Sequence, residues 1–370
     1  MSLTGRPLAC LLIVTVVAVL AATVWGWGRL AGPGARMVAA RLCALLLCQA
    51  LVTLSVLVVV NRHFAFYGTW GELAGAAGVG GRVVQEQGHG GTGVRAALIR
   101  RDPEVSMGGT AARDGRVDTV DIRGLRSGLH ARAYVYLPPQ YFKEGERRRF
   151  PVAVVFSGYP GAQRNLITQV RVPQTARDEA KAGRVQPMVY VMLRPSMVKG
   201  RDTECLDVPG GPQTATFFTQ DVPEAVRAAY RVSGDRKGWG VFGLSTGGYC
   251  SLKLAMRHSD VFSKAASLSG YYGAIKDITT GDLYGGSQAV RDENDLYWRL
   301  RHRPQPPISV LVTTSRSGER NEEETRRFLS LVRPPMRASS LVLDSGGHNF
   351  RTWKRVLPQV LRWMSHGLTV

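Results

Sequence analysis

Trp239-Gly240-Val241-Phe242-Gly243-Leu244-Ser245-Thr246-Gly247-Gly248-Tyr249 reads as an apolar strand, a Gly-x-Ser-x-Gly bend and the opening of a helix. That order decides the fold. A strand turning this sharply into a helix leaves no room for side chains beside the central residue, so Gly243 and Gly247 must be small while Ser245 projects outward. Its hydroxyl then stands at a helix amino terminus, where free backbone N–H groups and the helix dipole favour developing negative charge. The bland alternative is a glycine-rich turn carrying an inert serine.

Working outward, the chain from Val117 alternates short β-rich runs with helical stretches, the signature of a mostly parallel α/β sheet flanked by helices. Strands are expected over Val117 to Ile122, Ala133 to Leu137, Val152 to Phe156, Met188 to Leu193, Gly240 to Leu244, Ala265 to Leu268, Ile308 to Val312 and Ser340 to Leu343. Helices are expected over Ser245 to Arg257, Glu322 to Val332 and Phe350 to Met364. This is the α/β-hydrolase arrangement, whose triad order is Ser, then Asp or Glu, then His.

A serine needs a base to take its proton. His348, in Asp344-Ser345-Gly346-Gly347-His348-Asn349-Phe350, follows the expected last strand and precedes the last helix. The other histidines, His63, His89, His130, His258, His302 and His366, stand in membrane-border, tether, loop or helix-end settings. The acid should follow the strand ending at Val312. The segment there holds Glu319, Glu322, Glu323 and Glu324 and no Asp. Glu319 is the first choice and Glu322 the alternative; Glu323 and Glu324 suit a helix start, and Asp344 stands only four residues from His348. For the oxyanion, the N–H of Thr246 and that of Tyr159, in Phe156-Ser157-Gly158-Tyr159-Pro160-Gly161 after an earlier strand, are the expected donors.

These residues, with Thr216-Phe217-Phe218-Thr219-Gln220-Asp221-Val222-Pro223, Ser267-Leu268-Ser269-Gly270 and Gly347-His348 followed by Trp353, make the chain from about Val117 to Trp363 resemble the esterase family that includes the antigen 85 mycolyltransferases and S-formylglutathione hydrolase. The resemblance implies a Ser/His/acid triad, an acyl-serine intermediate and no metal or cofactor. Antigen 85 members use Glu as the acid, which suits Glu319 or Glu322. Many members carry His where this chain has Ser157, and the antigen 85 enzymes are secreted without membrane helices. The amino-terminal anchor of this chain is instead similar to that of actinobacterial membrane esterases.

That anchor is legible by length. Leu8 to Gly28 and Leu42 to Val60 each run uncharged for about 20 residues, enough for a helix to cross a hydrocarbon core. Trp25 and Trp27 end the first, and His63, Phe64, Phe66 and Tyr67 follow the second, as an aromatic belt would. A cleaved signal peptide led by Arg6, with Leu20-Ala21-Ala22 as its small-residue context, is the competing reading of the first stretch. Arg29, Arg36 and Arg41 between the spans place their loop in the cytoplasm and the large domain outside. The expected organisation is a two-helix membrane anchor over 1–67, a Gly/Ala-rich linker over 68–115 and an esterase domain over 116–370. The glycines near position 80 and over Gly88 to Gly93 lack the Lys-Ser/Thr of a phosphate loop.

Of the five cysteines, Cys10, Cys43 and Cys48 fall in the spans, which leaves Cys205 and Cys250. Cys250 lies five residues past Ser245, and an oxidising exterior would permit a disulfide pinning the Cys205 loop beside the site; two free thiols are the alternative. Lys and Arg number 48 against 28 Asp and Glu, a net charge of +20, which suits anionic lipid or cell-envelope polymer beside the bilayer. With no recognition-helix, RNA-binding or zinc spacing, no nucleic-acid partner is expected. The sequence thus reads as a membrane-anchored serine esterase or acyltransferase acting on an acyl ester. A catalytically idle hydrolase-fold scaffold at the membrane is the reading from another class.

Overall fold

A computed structural model describes residues 5–64, 70, 96–101, 107–143, 148–198, 200–319 and 321–370. The chain divides into two units, residues 1–80 and 81–370. In the first, helix α1 (Arg6–Gly26) and helix α2 (Ala35–Phe64) contain spans of mean hydropathy 2.7 and 2.6. Leu11, Val14, Leu45, Leu46 and Leu57 on them are more than half exposed, as the helices of an apolar solvent would be and a soluble core helix would not. Both helices are long and apolar enough to cross a membrane. The expected belt residues Phe66 and Tyr67, and the glycines near 80 and 90, lie outside the described residues.

In the second unit, runs such as Val152-Ala153-Val154-Val155-Phe156 are buried at every position. A strand apolar on both faces can be satisfied only between two covering layers. Nine strands form one sheet in the order β1-β2-β3-β5-β4-β6-β7-β8-β9. They are β1 (Ala96–Arg101), β2 (Arg116–Gly124), β3 (His130–Leu137), β4 (Val152–Phe156), β5 (Val189–Leu193), β6 (Trp239–Leu244), β7 (Lys264–Leu268), β8 (Ser309–Ser317) and β9 (Arg337–Ser345). The pairs β1–β2, β2–β3 and β3–β5 are antiparallel, and all pairs from β5 to β9 are parallel.

Side chains alternate between two cores. Val152, Val154 and Phe156 join Phe217, Phe218, Val222 and Tyr249 on one face of the sheet. Ala153 and Val155 join Trp353, Leu357 and Leu361 on the other. Phe217 and Phe218 come from a π-helical turn (Phe217–Asp221) and the other partners from covering helices; the main helices are α3 (Val172–Lys181), α4 (Val222–Ala229), α5 (Thr246–Arg257), α6 (Glu322–Leu331) and α7 (Phe350–Ser365).

Two sequence boundaries move. Residues 96–101, read as linker, are a strand paired over six residues with β2, and Ala111–Asp114 is a short helix, so the sheet begins before residue 116. Strand β8 does not stop at Val312. Its pairing with β9 carries it to Ser317, so that Glu319 stands two residues past the end of the strand.

A buried carboxylate joins two covering helices. Glu179 on α3, its side chain 7% exposed, accepts two hydrogen bonds from Arg184 (2.8 and 2.9 Å) and two from Arg362 on α7 (2.6 and 3.2 Å). The Arg184 bonds, then those of Arg362, hold its pKa down to about 2 from an ordinary 4.5. Because the folded value lies below the unfolded one, this contribution is complete above 4.5 and is lost as pH falls toward 2. Both arginines are nearly half exposed, which discounts its size. Glu179→Gln should lower Tm at pH 7 by about 2–4 °C, and the difference from the parent should shrink on acidification from pH 5 to pH 3, read by thermal unfolding.

Candidate active site

Strand β6 delivers Ser245 to the carboxyl edge of the sheet with φ 54° and ψ −122°, a left-handed conformation a serine adopts only when its surroundings impose it. A Cβ on Gly243 would lie 2.4 Å from the Gly247 carbonyl, and one on Gly247 2.4 Å from the Ser157 carbonyl. Ser245 N–H donates to the Leu268 carbonyl at 2.9 Å, which ties the bend to β7. Thr246 opens α5, and the first N–H groups of a helix have no acceptor within it. The turn after β4 passes over the same point: a Cβ on Gly158 would stand 3.3 Å from Ser245 Cβ.

His348 Nε2 lies 2.9 Å from Ser245 Oγ, although 103 residues separate them in sequence. The ring meets Trp353 edge to face at 5.0 Å, and Trp353 Nε1 donates to Ser269 Oγ at 2.9 Å. Burial against these neighbours lowers the imidazole below its ordinary pKa. Glu319 follows β8 with its side chain 2% exposed, Oε1 3.9 Å from His348 Nδ1. That is ion-pair range, too long for a hydrogen bond. Neither carboxylate oxygen makes a well-formed hydrogen bond. Burial raises the Glu319 pKa, and the nearby Ser269 and Ser315 hydroxyls pull the other way.

The alternative acids are placed elsewhere. Glu322 opens α6 and faces Arg326 at 3.4 Å. Asp344 is exposed and faces Arg316 at 3.4 Å. Asn321, passed over in the sequence, is what bends the short acid loop: it accepts from Thr314 Oγ1 at 2.7 Å and donates to the Gly270 carbonyl at 3.3 Å. A polar residue just after a strand is a weak signal, which is why it carried no weight alone.

Cys205 and Cys250 are joined as a disulfide with Cα atoms 5.7 Å apart, a separation in the ordinary range. Thr246, Cys250 and Lys253, at i, i+4 and i+7, share one face of α5. The loop 202–205 lies along it, since Lys253 Nζ donates to the Glu204 carbonyl. The Glu204 carboxylate accepts from Tyr271 at 2.6 Å, and its backbone N–H donates to Asp202 at 2.9 Å. Burial pushes Glu204 up and Lys253 down, and their mutual attraction opposes both. The Cys205–Cys250 pairing was among the sequence expectations, but the Glu204 and Lys253 contacts were not, because a loop of Asp, Glu and Thr reads as solvated. Among the described residues no His, Cys, Asp or Glu cluster is arranged to hold a metal ion.

Chemically, the arrangement offers a serine hydroxyl in contact with an imidazole, a buried carboxylate 3.9 Å from that imidazole, and helix N–H groups beside the serine. A family model described as "Putative esterase" matches residues 127–364. An uncharacterized protein of Corynebacterium glutamicum is 26% identical over 251 residues, covering 65% of this chain and 58% of the relative. Among solved structures, a ferulic acid esterase (20% identity, TM-score 0.58) covers 69% of this chain and 98% of its own. An S-formylglutathione hydrolase from Agrobacterium tumefaciens (14%, TM-score 0.58) covers 70% and 98%, and a fluorophosphonate-binding serine hydrolase of Staphylococcus aureus (17%, TM-score 0.54) covers 68% and 98%. At these identities the likeness shows a shared fold.

The disulfide closes a loop of 45 residues, for which chain entropy alone gives about 4 kcal/mol. Replacing both Cys205 and Cys250 by Ala should therefore cost on the order of 2–4 kcal/mol in denaturant unfolding. Intact-mass analysis after denaturation and alkylation without a reductant should show Cys10, Cys43 and Cys48 modified and the other two protected.

Proposed function

Because the chain belongs to this esterase family, we propose that it is a membrane-anchored serine ester hydrolase or acyltransferase working through an acyl-serine intermediate. The observation that carries the proposal is the 2.9 Å contact of His348 Nε2 with Ser245 Oγ, with the buried Glu319 behind Nδ1. Ser245 Oγ attacks the acyl carbon while its proton passes to His348 Nε2. The N–H groups of Thr246 and Tyr159 hold the oxyanion. The tetrahedral adduct collapses by breaking the ester C–O bond, and the Nε2 proton goes to the departing alkoxide. Water, or an acceptor alcohol, then attacks the acyl-serine with His348 as base, and the product leaves as acid or new ester. Glu319 orients the ring and stabilises its cation.

The two exposed apolar helices support an anchor of residues 1–67 in the cell membrane, with the catalytic unit outside the cytoplasm and the acyl ester drawn from lipid or cell envelope. The +20 net charge favours anionic headgroups or envelope polymers as neighbours and offers no motif for nucleic acid.

The full chain in detergent should be labelled by a fluorophosphonate probe at Ser245, with the signal absent in Ser245→Ala; no labelling of a folded parent would overturn the proposal. Glu319→Gln should lower kcat/KM for p-nitrophenyl acetate by on the order of 10³–10⁴-fold, while Glu322→Gln stays near the parent. The active form needs neutral His348, which is lost as pH falls through its pKa. Since burial lowers that pKa, the acid limb of kcat/KM should have its midpoint below about 6.5. An enzyme reporter fused after Val370 should be active only outside the cytoplasm.

A further inference from the structure

Ser157 belongs to none of the catalytic roles assigned above, yet its N–H, hydroxyl and carbonyl lie where three parts of the site meet. Its N–H donates to the Leu193 carbonyl at 3.0 Å, one residue beyond the last β4–β5 pair, Phe156 with Leu193. Its carbonyl is packed against Gly247, where a Cβ would lie 2.4 Å away. Its hydroxyl donates to the Gly161 carbonyl at 3.0 Å, and the residue is 1% exposed.

The last of these bonds closes the turn Gly158-Tyr159-Pro160-Gly161 from the inside. That turn packs on the nucleophile, since a Cβ on Gly158 would be 3.3 Å from Ser245 Cβ and 3.9 Å from Oγ. Gly161 is equally confined, a Cβ there falling 3.1 Å from the Gly158 carbonyl. With the sheet at one end of the turn and the start of α5 beneath it, the Ser157 hydroxyl is a side-chain contact that closes the turn over Ser245.

We propose that Ser157 is a positioning residue for the oxyanion: its hydroxyl, by holding the Gly161 carbonyl, fixes the height of the Tyr159 N–H above Ser245. The inference rests on the serine-esterase reading. A serine stapling a tight turn is common, and what sets this one apart is the turn it closes. Charge develops on the substrate oxygen only in the transition state, so a donor displaced by a fraction of an ångström weakens acylation while leaving ground-state binding alone.

The experiment compares parent, Ser157→Ala and Ser157→Thr as full chains in detergent. It measures single-turnover acylation by p-nitrophenyl acetate, the second-order rate of fluorophosphonate labelling at Ser245, the pH profile and Tm. The expected result for Ser157→Ala is a fall of about 10- to 100-fold in acylation rate. KM should stay within about twofold and the acid limb should not move, because His348 is untouched. Ser157→Thr, which keeps the hydroxyl, should recover most of the rate. A general loosening of the fold would instead lower Tm, shift KM and the pH limb together, and spare neither variant; that pattern overturns the inference. So does a Ser157→Ala enzyme that acylates at the parental rate. A folded parent that neither acylates nor labels overturns the esterase reading itself, and this inference with it. A reactive parent with an equally reactive Ser157→Ala overturns this inference alone.

Discussion

Everything at the carboxyl edge of the sheet depends on one backbone conformation, the left-handed φ of 54° at Ser245. An L-residue pays for that conformation on the order of 1–3 kcal/mol, and it survives only where packing over-determines it. Here glycines supply the packing. Gly243 and Gly247 meet each other, Gly247 meets the Ser157 carbonyl, and Gly248 and Gly270 both close on Ser267. The ends of β4, β6 and β7 and the start of α5 are therefore fused through contacts that admit no Cβ. The bend and the turn over it are thereby locked together.

This explains which parts of the site were legible in the sequence. The bend was legible because its steric requirement is local: an apolar strand, a serine between glycines and a helix lie within eleven consecutive residues. His348 was legible because the loop between the last strand and last helix is short. The candidate acid was legible only as a preference for Glu319 over Glu322, three positions on, because which of them stands beside His348 depends on where β8 ends. The pairing of Thr314, Ser315 and Ser317 with β9 decides that end, an interaction with a segment about thirty residues later. Ala96-Ala97-Leu98-Ile99-Arg100-Arg101 was hidden for the same reason. Its two arginines and two alanines carry no strand signal until β2 is beside it.

The cysteines show the opposite case. Sequence supplied the pair but not the distance between them, because the 45 residues they enclose include β6 and the bend itself. Once α5 is in place, the helical spacing of Thr246, Cys250 and Lys253 makes the loop 202–205 a strip along the nucleophile helix. The burial of Glu204 and Lys253 there is tolerable only because each has partners. A buried charge left alone would cost far more than the pair.

The two titrating groups of the proposed triad are pushed toward neutrality from both sides, His348 downward and Glu319 upward, each by burial. A lowered pKa favours the neutral imidazole, the form able to accept a proton from Ser245. Glu319 is almost wholly buried while half of the His348 side chain is exposed, so any charge on the imidazole would face a buried carboxylate on one side and solvent on the other. The 3.9 Å separation is longer than a hydrogen bond, and contacts of this kind are often long in a free enzyme. Strand β8 is held by β9 as far as Ser317, and Asn321 donates to the Gly270 carbonyl, so the chain on both sides of Glu319 is tied to the carboxyl edge of the sheet.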